Sequence, residues 1–242
     1  MKKMVVELQS TLNLVIVVFA SLTAFLGIIV VNTLFRNKLK ELFSDAQFFI
    51  FFFLVFGYSL YALGEVTWFL ILNLFQIYSI GSMPDIYWVS GTVLMLLPLI
   101  ALSRRLYRTD SHYRNPFPLL VFGAVLLLVA LFSVSLIKGS FLDYYYAGIG
   151  ALILVASIPL FIFYRMLQSS GSFEANLVYL FFSNICFLLS QFLYTYIVPR
   201  EIYGSLGVLA DSMYALGYFL SAFAFLMLLI KFYSSSRKQV VA

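Results

Sequence analysis

Glu65 is the side chain of this sequence best placed to do chemistry, because it is the one acid deep inside an apolar stretch, about twelve residues from that stretch's outer end. An unpaired carboxylate near the centre of a bilayer costs a few kcal/mol or more, so such a group must be neutral, face a bundle interior, or meet a partner or a water-filled cavity. Helical spacing puts Tyr61 and Trp68 on the same face as Glu65. A functional carboxyl here would be a ligand contact, a proton carrier or a conformational switch. A structural one would be a protonated interhelical hydrogen bond. Both readings stay open on the sequence. The outer half also concentrates aromatic residues, most of which read as interfacial belt residues. A minority, with Glu65, Asp85 and Asp211, would line an outward-facing pocket suited to a cationic or aromatic molecule.

Other chemistries lack their residues. One histidine and one cysteine give no metal cluster, and the apolar stretches hold no histidine pair for haem. No nucleophile elbow, phosphate-binding loop or dinucleotide-binding glycine run occurs. A retinal protein needs a lysine in the middle of its seventh helix, whereas Lys231 stands at the end of the last apolar stretch. Neither an enzyme nor a resident cofactor is expected, and Cys186 reads as packing.

The elements that must position Glu65 are membrane helices. The chain has 242 residues, 63% of them hydrophobic and 10% charged, which leaves too little charged surface for a soluble domain. Seven apolar stretches long enough to cross a hydrocarbon core lie at about 12–35, 47–77, 85–102, 117–137, 144–166, 174–197 and 206–230. Long continuous apolar runs, rather than short alternating ones, make them helices and exclude a barrel. The expected fold is an all-α integral membrane protein, one seven-helix domain with a tail at 231–242.

Charge sets the expected orientation. Eleven Lys and Arg follow the first, third, fifth and seventh stretches, and four lie on the opposite side. The N-terminus is therefore expected outside and the C-terminus inside a plasma membrane. The net charge of +5 is accounted for by loops facing anionic headgroups, so no nucleic-acid partner is implied. The segment 103–116, with four Arg and His112, would dock a cytoplasmic partner but is too short to be a domain.

Shifting the sequence by 126 residues lays the second stretch and the start of the third on the sixth and the start of the seventh. The shared pattern is S-x-G-x-x-x-D-x-x-[WY]-x-x-G, carried by Ser79, Gly81, Asp85, Trp88 and Gly91 and by Ser205, Gly207, Asp211, Tyr214 and Gly217. Asp85 and Asp211 read as acids in the first turn of the third and seventh helices, where they complement the helix dipole. Gly91 and Gly217 would let neighbouring helices approach closely. The same shift pairs Glu65 with Gln191, so a polar pair between the second and sixth helices is expected, with Tyr194 among the outer-half aromatics counted with this site. The organisation implied is a 3+1+3 parallel repeat, with one unit at about 12–102, a linker helix at about 117–137 and a second unit at about 144–230. Sugar carriers of the SWEET type have this arrangement.

The run Gly64-Glu65-Val66-Thr67-Trp68, followed by Pro84-Asp85-Ile86-Tyr87-Trp88 and Gly91, resembles the membrane input modules of archaeal and bacterial PAS-containing sensor proteins. The run from Leu209 to Tyr218 resembles their second copy. The resemblance covers about a third of the chain. It implies a sensory bundle containing Glu65, Trp68, Asp85 and Asp211. The chain departs from those modules in lacking a serine after Pro84 and a PAS, kinase or cyclase domain after the seventh helix. The expectation is a non-enzymatic, sensor-like or accessory protein that works through a partner membrane protein or a second copy of itself. The alternative is a small solute or proton-coupled carrier.

Overall fold

A residue such as Asp45, just ahead of an apolar run, is a natural helix start: its Oδ1 accepts the Phe48 N–H at 3.2 Å, supplying an acceptor to an amide with none in its own helix. The turn before it is closed by the Asp45 and Ser44 N–H groups, both donating to the Glu41 carbonyl. The computed structural model describes residues 2–36, 39–71, 83–109, 158, 161–162, 175–197 and 204–241. Among the described residues the regular elements are all helical. They are α1 (Lys2–Leu34), a short 3-10 turn (Leu39–Glu41), α2 (Ala46–Leu70), α3 (Met83–Thr109), α4 (Ala175–Ile197) and α5 (Gly204–Val241).

These helices fall on the first, second, third, sixth and seventh expected stretches. The stretches expected at 117–137 and 144–166 lie outside the described residues, apart from Ile158, Phe161 and Ile162, which are helical. Three helices are long and apolar enough to cross a membrane, over Leu8–Leu34, Phe48–Leu70 and Gly204–Ser234. In α4 the apolar run is shorter, Val178–Tyr194. α3 has Asp85 in its first turn and Arg108 in its last.

The helices pack in the order α3, α2, α1, α5, α4, with α1 wedged between α2 and α5. The distribution of polarity across this layer is the reverse of a water-soluble protein's. Large apolar side chains stand exposed along α1 (Leu14, Val18, Leu22, Phe25, Ile28) and α3 (Ile86, Val89, Val93, Leu97, Ile100). In both cases the spacing follows one helical face. Thr23, Glu65, Thr92, Ser183, Ser190, Asp211 and Ser221 are buried instead. An apolar exterior of this extent is unfavourable in water and favourable in lipid, so the fold is that of an α-helical membrane protein. The interior around which these polar groups gather is aromatic, built from Tyr58, Phe187, Tyr214, Tyr218 and Phe225.

Candidate functional site

Tyr58, Tyr61, Glu65 and Trp68 recur along α2 at the three- and four-residue intervals that keep side chains on one helix face. Asp211, Tyr214, Tyr218 and Ser221 recur at the same intervals along α5. The two stripes face each other past α1 and form the polar centre of the fold.

Glu65 is 6% exposed and lies in the last two turns of the described part of α2. Its Oε1 accepts the Tyr218 hydroxyl of α5 at 2.9 Å. The backbone carbonyl of that tyrosine accepts the Thr23 hydroxyl of α1 at 2.8 Å. One turn further along α5 and two turns back along α2, Ser221 donates to Tyr58 Oη at 3.0 Å, and the Ser221 and Ser183 hydroxyls, the latter on α4, are 2.6 Å apart. Ser183 donates in turn to the Gly217 carbonyl at 2.8 Å. In the other direction Gln191 Nε2 donates to Tyr214 Oη at 2.8 Å, and the Tyr194 hydroxyl donates to Asp211 Oδ1.

The expected Glu65–Gln191 pair is corrected by this geometry. Glu65 bonds to Tyr218, and Gln191 bonds to Tyr214 one turn away on the same helix. A second correction concerns Asp211 and Tyr214, expected at the start of the seventh helix. α5 begins at Gly204, whose φ of +36° is open to glycine without a Cβ penalty. Asp211 is therefore about two turns inside the helix and only 1% exposed. It is held by a donor from α4 and does not cap a helix end. Asp85 does occupy the first turn of α3, half-buried.

The remaining expected residues line the α2–α3 side. Tyr61 Oη and Thr92 Oγ1 are 2.6 Å apart, and Thr92 gives its hydrogen to the Trp88 carbonyl at 2.8 Å, which leaves Tyr61 as the donor between them. The Trp68 and Trp88 rings lie 6.1 Å apart. The Trp88 indole packs over Gly64, where a Cβ would come within 2.6 Å of its Nε1. That buried N–H is within reach of the Glu65 carboxyl but meets no acceptor at bonding geometry. Tyr58, Tyr218, Ser183 and Ser221 were not singled out from the sequence. The signal that finds them is the polar stripe at helical spacing on α5 and its counterpart on α2.

The α2–α3 and α4–α5 crossings use the same register, 126 residues apart. A Cβ at Gly91 would come within 2.8 Å of the Gly57 carbonyl and of the Tyr61 ring, and one at Gly217 would come within 2.7 Å of the Phe187 ring. Both glycines thus mark a close helix approach. Ser183 stands in the place of Gly57, and bonds to Gly217 where Gly57 touches Gly91. Tyr194 and Tyr214, with rings 6.5 Å apart, stand in the places of Trp68 and Trp88.

No known family model, curated protein or solved structure matches the chain. Among the described residues no group of three acidic, histidine or cysteine side chains is placed to hold a metal ion. The arrangement therefore offers hydroxyl and carboxyl hydrogen bonding inside an aromatic interior.

Proposed function

We propose that this chain is a non-enzymatic, sensor-like or accessory protein of the plasma membrane that works through partner membrane proteins. In this reading it spans the bilayer seven times, N-terminus outside and C-terminus inside, as two related three-helix units joined by a linker helix. The observation that carries the reading is the continuity of α5. One helix bears Asp211, Tyr214, Tyr218 and Ser221 within the bundle and runs on past the apolar span, which ends at Ser234, to Val241. At about 1.5 Å per residue its 38 residues reach roughly 57 Å, so one continuous helix links the polar centre to a basic end carrying Lys231, Arg237 and Lys238. The likeness of the Gly64–Trp68 and Pro84–Gly91 runs to sensor input modules supports the same reading, as does the shared register of the two helix crossings.

The test is extraction from native membranes in mild detergent. A membrane protein should remain attached through purification, and Glu65→Gln should weaken or alter that complex. Recovery of the chain alone, with no change of assembly in the variant, would count against a partner-dependent role.

One observation favours a second reading, a carrier of SWEET-like arrangement. The Glu65–Tyr218 contact lies between the two crossings of equal register, and carriers built from repeats place their substrate at the repeat interface. Purified protein in liposomes should then accumulate a solute, or move protons down a gradient, and Glu65→Gln should abolish it. Tight liposomes across a broad solute panel would remove this reading.

A further inference from the structure

Glu65 stands where four helices meet. Its own helix is α2; Tyr218 of α5 donates to it, Thr23 of α1 holds the carbonyl of that tyrosine, and Trp88 of α3 lies against the preceding Gly64. α1 lies between α2 and α5, so the bridge between those two helices is carried by side chains, chiefly Glu65 with Tyr218 and Tyr58 with Ser221. Of these four residues only Glu65 is a carboxyl. It has one donor at bonding distance and a second, the Trp88 N–H, buried beside it and unbonded. An indole N–H can only donate, and leaving it unsatisfied in a buried site costs free energy that the nearest carboxylate would recover.

We propose that Glu65 is the proton-binding site of a latch: uncharged it holds Tyr218 alone, and charged it also draws in the Trp88 N–H, so that one proton exchanged with water moves α3 against α2 and α5. A charged carboxylate in a low-dielectric interior gains more from each added donor than a neutral carboxyl does. Gly64 provides the clearance that lets the indole slide along α2, since any side chain there would fill the space it occupies. The latch operates whether the chain signals through a partner or carries a solute. The other titratable groups around the site are Tyr58 and Tyr61 on α2 and Asp211, Tyr214 and Tyr218 on α5. Tyr194 of α4 bonds to Asp211, and Asp85 lies one turn before Trp88 on α3. α1 faces the site with Thr23, which does not titrate.

The chain contains two tryptophans, Trp68 and Trp88, and both flank Glu65, so the indole emission of the full chain in detergent micelles, excited on the red edge where its 17 tyrosines do not absorb, reports on this site. Titrated from acid to alkaline pH, the emission should pass through one transition, which Trp68→Phe retains and Glu65→Gln abolishes. Asp211→Asn and Asp85→Asn should leave it in place. A flat titration of the wild-type chain, or a transition that survives in folded Glu65→Gln, overturns the latch. Should Glu65→Gln not fold, infrared difference spectra of the wild type serve instead. The C=O band of a protonated carboxyl should vanish with the same midpoint as the emission change, and Tyr218→Phe should shift that band. A carboxyl band that does not track the emission, or does not respond to Tyr218→Phe, overturns the proposal equally.

Discussion

The α2–α3 and α4–α5 pairs cross in the same register and differ in what they do with their hydroxyl groups. In α2–α3 the bonding is local: Tyr61 reaches Thr92, and Thr92 reaches the Trp88 carbonyl. In α4–α5 the residue at the place of Tyr61 is Phe187, which has no hydroxyl, and the residue at the place of Thr92 is Tyr218. The Phe187 and Tyr218 rings touch, with centroids 4.9 Å apart, but the Tyr218 hydroxyl finds no local partner there and reaches across to Glu65. A bond that stays within a helix pair in α2–α3 thus corresponds, under the 126-residue shift, to one that runs between pairs. The acid shows the same divergence, Glu65 in one pair and Gln191 in the other, each satisfied by a tyrosine of α5.

The largest expected effect comes from filling the tighter crossing. Gly91→Val should cost about 3 kcal/mol or prevent assembly, because its new Cβ meets a backbone carbonyl that cannot move aside. Gly217→Ala meets a Phe187 ring that can rotate, and should cost about 1 kcal/mol. Thermal unfolding in detergent ranks the two, and equal losses would mean that the crossings are equally deformable. The bridge between pairs is next. A double-mutant cycle of Glu65→Met and Tyr218→Phe should give a coupling of about 1 kcal/mol, the scale of interhelical hydrogen bonds in membranes. Additive effects would show that the contact contributes nothing beyond its parts.

Ser183→Gly would make α4–α5 more like α2–α3, removing the bonds to Ser221 and the Gly217 carbonyl, at a cost of about 1 kcal/mol. The smallest loss, about 0.5 kcal/mol, should follow Tyr61→Phe, because Thr92 keeps its bond to the Trp88 carbonyl. That variant should leave the Glu65–Tyr218 coupling unchanged, and a fall in coupling would tie the local bond to the bridge.

Much of the architecture was legible in the residue order. The apolar runs located the described helices, and Gly91 and Gly217 announced the close crossings because an absent side chain is informative wherever helices must touch. The face shared by Tyr61, Glu65 and Trp68 followed from helical periodicity alone. The partner of Glu65 did not. Residues aligned by a repeat occupy equivalent places, and equivalent places need not touch, so pairing Glu65 with Gln191 confused correspondence with contact. Asp211 was misplaced for a related reason. It aligns with Asp85, which sits at a helix start, but inside α5 it receives the Tyr194 hydroxyl of α4, a contact that only the packing of two helices creates.

Thr23 bears on how the protein is made. Its hydroxyl contacts both the Phe19 carbonyl within α1 and the Tyr218 carbonyl, 195 residues later in the chain. A growing chain that releases helices into the membrane in order delivers α1 before α5, so the contact of Thr23 with Tyr218 forms only once α5 has emerged. Helix α1 thus waits for α5 to complete its packing.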